Sequence, residues 1–148
     1  MNEERMEGAT PARLYATLVG GTLLVVGIIG FFYSASFGAP GTVDSVLGIF
    51  AVNAWHNIVH ILTGALGLLV AGYAAREYAL GLGVVYTLIA IWGFVIGDNE
   101  SILGFIPVNT EDNFLHLVLG LLGLAAGAAT PADERRRSER PERATRTT

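Results

Sequence analysis

The sequence contains no cysteine and no lysine. The first absence excludes disulfides, thiolate metal ligands and a cysteine nucleophile. The second leaves arginine as the sole long basic side chain, since all nine basic residues are Arg. Charge of either sign is scarce, at 15% of the residues, and it is missing over long intervals. None lies between Arg13 and Asp44, Asp44 and Arg76, Glu77 and Asp98, or Asp112 and Asp133. A soluble helix needs a polar face, and these intervals have none. No nucleophile–base spacing stands out among the remaining polar residues, so hydrolytic chemistry has no footing.

What is present is apolar: 52% hydrophobic residues and a mean hydropathy of +0.52. Each uncharged interval can hold about 20 residues of helix, enough to cross a hydrocarbon core of ~30 Å. The expectation is an all-α integral membrane protein with four spans at about 12–33, 53–73, 78–97 and 112–129. Residues 1–11 form a leading segment. Residues 130–148, rich in Arg and Glu and without apolar periodicity, form a disordered tail. Ser34 and Ser36 have the size that a signal-peptidase site requires, but the apolar run before them is longer than a signal peptide's and its leader is more acidic than basic. Span one is therefore expected to stay in the chain.

Charge placement orients the spans. Arg5, Arg13, Arg76 and the arginines from Arg135 to Arg146 lie before span one, between spans two and three, or after span four. The other two loops carry Asp44, Asp98, Glu100, Glu111 and Asp112 and no basic residue. By the positive-inside rule both termini and the 74–77 turn are cytoplasmic, and the two longer loops face outward.

The chain also repeats itself. SVLGIFAVNAWHNIVHILTGALGL (45–68) aligns without gaps to SILGFIPVNTEDNFLHLVLGLLGL (101–124), with Ser45, Leu47, Gly48, Asn53, Asn57, His60, Gly64 and Gly67 recurring 56 positions later. Tyr15, Ala16, Gly20, Gly30 and Phe31 recur 63 positions later in span three. Two parallel helix–loop–helix units follow, arranged as an up-down-up-down bundle with spans two and four on a diagonal. Gly64, Gly67, Gly120 and Gly123 lie in stripes of small residues that permit close helix packing.

Within the repeated segment, Asn53 and Asn109 are placed to cap helices two and four. Asn57, His60, Asn113 and His116 lie inside the spans, with His60 about 10 Å deeper than Asn53. His56 lies to one side, and its counterpart is Asp112. Polar groups at that depth face the protein interior. Three chemistries remain open for them. One is a mutual hydrogen-bonded cluster that locks the bundle. Another is a cofactor: a haem between His60 and His116, or a metal ion joined by His56 and Asp112. The last is the lining of a small oligomeric pore or transporter. The first, a non-enzymatic structural or interaction role, is the leading expectation. The lipid bilayer, a second copy or another membrane protein are the expected partners, and nucleic acid is not.

The pattern N-x-x-H-N-x-x-H-x-x-x-G-x-x-G, here Asn53, His56, Asn57, His60, Gly64 and Gly67, returns as Asn109, Asp112, Asn113, His116 and Gly120. With these paired motifs, residues 12–129 resemble the prokaryotic membrane family termed domain of unknown function 4383. The resemblance implies membrane residence and four spans, and it implies no activity.

Overall fold

The computed structural model describes residues 9–37, 44–98 and 100–132. Most of the leading segment and of the Arg-rich tail lies outside the described residues. Four helices form, α1 Pro11–Gly30, α2 Ala54–Val70, α3 Ala75–Ile96 and α4 Thr110–Ala128. Pro11 suits the first turn of α1, where its missing N–H leaves no bond unmade. Thr10 caps that turn, its Oγ1 accepting from the Arg13 N–H at 3.4 Å. α1 and α3 are each long and apolar enough to cross a membrane, while α2 is apolar but only 17 residues long. α4 carries Glu111 and Asp112 in its first turn, where the helix dipole favours acid.

The purely helical expectation needs one correction. Each apolar segment preceding α2 and α4 is a small antiparallel β-hairpin: β1 Asp44–Val46 with β2 Phe50–Val52, and β3 Ser101–Ile102 with β4 Ile106–Pro107. Each turns through two residues in the left-handed region, Leu47 (φ 56) and Gly48 (φ 72), then Leu103 (φ 55) and Gly104 (φ 78). That pair of signs makes a tight hairpin turn. Glycine adopts it freely, whereas leucine does so at about 1–2 kcal/mol. The leucine obscured the turn signal in the sequence.

The helices pair as two antiparallel hairpins, α1 with α2 and α3 with α4, through glycine. A Cβ on Gly20 would meet the Gly64 carbonyl and the Leu68 N, and one on Gly83 would meet the Gly120 carbonyl and the Leu124 N. Helix backbones touch there, which gives dispersion contact without large side chains. The interior between the hairpins holds small residues and aromatics, among them Ala12, Ala16, Ala79, Tyr15, Tyr78 and Tyr86. Tyr15 donates to the Leu119 carbonyl at 2.8 Å and Tyr78 to the Thr63 carbonyl at 3.0 Å, so each hairpin lends a tyrosine to the other. At the end opposite the β-hairpins, Thr130 accepts from Ala12 N–H (3.0 Å) through its Oγ1 and from Arg76 Nε (3.0 Å) through its carbonyl. The outward faces are the reverse of a soluble protein's, bearing Leu18, Leu62, Leu69, Leu88 and Val95 fully in the open.

Candidate functional site

The polar residues gather at the β-hairpin end. Asn53 and Asn109 are the N-cap residues of α2 and α4. Their Oδ1 atoms accept from His56 N–H and Asp112 N–H, both at 2.9 Å. Each cap also reaches across the molecule: Asn53 Nδ2 donates to the Phe105 carbonyl (2.6 Å), and Asn109 Nδ2 donates to the Ile49 carbonyl (2.5 Å). The caps thus tie each helix start to the opposite β-hairpin turn. The Asp112 carboxylate accepts from Asn109 N–H (3.3 Å), completing a capping box, and from Ala51 N–H (2.9 Å) in the other half. Asp112 is therefore engaged with backbone donors.

The asparagines and histidines within α2 and α4 turn to different neighbours, because each helix is packed on more than one side. Asn57 and Asn113 turn toward their own hairpin partners and are almost wholly buried, each 1% exposed. Asn57 lies against Gly30 and donates to the Ser34 carbonyl at 2.9 Å, and Asn113 lies against Gly93. In both places a Cβ on the glycine would collide with the amide, so the glycine makes room for the asparagine. Gly64, Gly67, Gly120 and Gly123 likewise lie at close approaches, the last two of these between α4 and α3 or Tyr15.

The histidines turn toward the centre of the molecule. His56 and His60 are one helical turn apart on α2, and His116 arrives from α4. The ring centroids are 4.5 Å apart for His56 and His60, 6.0 Å for His56 and His116, and 6.4 Å for His60 and His116. One nitrogen from each lies within 4.8 Å of the others. His56 and His116 are buried and His60 is half-buried. The Nδ1 atoms of His56 and His116 are enclosed without a hydrogen-bond partner. The Tyr86 ring stacks edge-on to His116 at 4.9 Å and holds it in place. His56, expected to one side, is a full member of the cluster, and the asparagines are outside it.

Three nitrogen donors with no carboxylate among them suit zinc or copper, and leave one tetrahedral position open. Nitrogens in such a zinc site are about 3.3 Å apart, so small side-chain rotations close the triad on an ion. A haem between His60 and His116 meets an obstacle: the three separations put the His56 ring inside the disc that the macrocycle would sweep.

Sequence reasoning did not find Tyr86, Thr63, Ser34 or Ala51. Tyr86 replaces a leucine, Leu23, at the matching position in α1, so the repeat gave no signal. Trp55 is partly exposed and stacks edge-on to Phe37 and Phe105 at 5.0 and 5.6 Å.

Residues 13–129 match the family model described as Domain of unknown function (DUF4383). No curated protein and no solved structure matches the chain. The family match extends from the first turn of α1 past the end of α4, and on that ground the chain belongs to the DUF4383 family.

Proposed function

We propose that this chain is a multi-pass membrane protein whose outer end carries a three-imidazole site for one transition-metal ion of the zinc or copper class. The observation that carries the proposal is the convergence of His56, His60 and His116, with nitrogens within 4.8 Å of one another. A structural cluster would pair its own polar atoms, because a buried unpaired group costs about 1–3 kcal/mol. Here the Nδ1 atoms of His56 and His116 have no hydrogen-bond partner among the described residues. Membrane residence rests on the apolar outer faces and on helices α1 and α3. The arginine distribution supports a cytoplasmic side for Arg13, Arg76 and the tail, with the imidazoles toward the outer face.

Elemental analysis of detergent-purified protein equilibrated with micromolar zinc or copper tests the site. One ion per chain is expected, falling below a tenth in His60→Asn and His116→Asn. Asn57→Asp, which alters polarity away from the triad, retains the ion. Folded wild-type protein that holds neither metal overturns the proposal.

A further inference from the structure

The three imidazoles also border a cavity. α1, α4 and the β1–β2 hairpin enclose about 270 Å³. Leu23, Val26, Phe50, Leu115 and Leu119 form its apolar wall, and His56, His60, His116 and Asp112 form one polar edge. The positions that line it have counterparts 63 residues on in α3, 56 on in the β3–β4 hairpin and 56 back in α2. Those counterparts enclose a second cleft, and it holds only about 30 Å³. In the second cleft Tyr86 stands where the first has Leu23, and Ile89 where it has Val26. Of these two related clefts, which share His56, His60, His116 and Tyr86 on their common border, one is nearly filled and the other is open.

An open apolar cavity is costly to maintain, because its lining loses contacts that packing would supply. A cavity of about 150 Å³ is enough to hold benzene, so this one accommodates a substituted single ring. Its polar edge is confined to one side. The acidic group on that edge, Asp112, is already engaged by the Ala51 and Asn109 N–H groups. The enclosed Nδ1 atoms of His56 and His116 have no partner among the described residues, and a hydrocarbon would leave them so. Val26, Leu47 and Leu115 are at the rim and exposed on the outer surface, so entry is from an apolar medium.

We infer that the α1–α4 cavity binds a single-ring aromatic molecule bearing a hydroxyl or carbonyl oxygen, the headgroup chemistry of lipid-soluble phenols and quinones. The ring lies among Leu23, Val26, Phe50 and Leu115, and the oxygen meets the imidazole edge. The site exists with or without a metal ion.

Calorimetry on the full chain in nanodiscs, with empty nanodiscs subtracted, tests this with tetramethylhydroquinone under anaerobic conditions and with tetramethylbenzene, which differs by lacking the two oxygens. The expected result is one saturable site per chain, about five-fold tighter for the hydroquinone, as one neutral hydrogen bond provides. Leu23→Tyr, which copies the filled cleft, abolishes ring binding and leaves zinc stoichiometry unchanged. Equal affinity for both probes, or undiminished binding by folded Leu23→Tyr, overturns the inference. If Leu23→Tyr does not fold, Val26→Phe fills the same space and is read the same way. Ring binding without zinc or copper binding overturns the metal proposal alone, and metal binding without ring binding overturns this one alone.

Discussion

Position 56 is one at which the two halves of the chain differ in chemistry. Its counterpart, Asp112, spends its carboxylate on two backbone donors, Asn109 and Ala51. A histidine at position 56 instead places a third imidazole beside His60 and His116. One substitution thus separates a symmetrical pair of histidines from a three-donor site, and His56→Asp is expected to remove metal binding by restoring the symmetry. Glycine at 30 and 93 shows the same economy of means. An alanine at either place would drive its methyl into the Asn57 or Asn113 amide. Both asparagines are fully buried, so they have little room to yield. Gly30→Ala and Gly93→Ala should each destabilise the protein by about 1–3 kcal/mol, the usual range for overpacking. Denaturant titration in detergent micelles measures this. Unchanged midpoints in both variants would show that the asparagines move aside freely.

At the scale of the element, the reciprocal contacts explain how two glycine-packed hairpins hold one relative position. Tyr15 and Tyr78 each donate to a carbonyl in the opposite hairpin, and Asn53 and Asn109 each donate to the opposite β-turn. Hydrogen bonds between membrane helices contribute on average about 0.6 kcal/mol. Tyr15→Phe and Tyr78→Phe are therefore expected to cost about 0.5–1 kcal/mol each, and the double variant close to their sum, because the two bonds do not share a partner. Thermal unfolding monitored by circular dichroism checks it, and a loss in the double variant several times that sum would mean that the bonds act as one unit.

Much of this element-level arrangement is legible in the sequence. The uncharged intervals located four helices to within a few residues, and Asn53 and Asn109 stand at the helix starts where their capping chemistry predicted. The β-hairpins were not legible, since leucine at 47 and 103 occupies a conformation that ordinarily calls for glycine or asparagine. The division of α2 into an asparagine edge and a histidine edge was not legible either. Helical spacing puts Asn57 and His60 on one broad face, and only the positions of α1 and α4 decide which neighbour each one meets. The open cleft depends on Leu23 differing from Tyr86, a difference that acquires meaning only once the two clefts are compared in space.

For the whole molecule, the distribution of surfaces is the governing fact. Large aliphatic side chains face outward while glycine, alanine, tyrosine and the polar cluster face inward. That ordering fits a lipid surround, where hydrophobic burial provides no drive for helix association and close backbone contact takes its place. It also isolates the imidazoles from bulk water at one end of the protein. The absence of native cysteine makes orientation directly measurable. A cysteine at Leu103 is expected to react with an impermeant maleimide on intact cells, and one at Arg76 only after the membrane is opened. The opposite pattern would invert the topology and place the imidazole end on the cytoplasmic side.

The central claim is that His56, His60 and His116 act together on one ion, and X-ray absorption at the zinc edge of the loaded protein measures that most directly. The account predicts about three imidazole nitrogens at about 2.0 Å with one oxygen ligand completing four-coordination, and a loss of that signal in His56→Asp. A shell dominated by carboxylate oxygen, or an unchanged spectrum in His56→Asp, would contradict it.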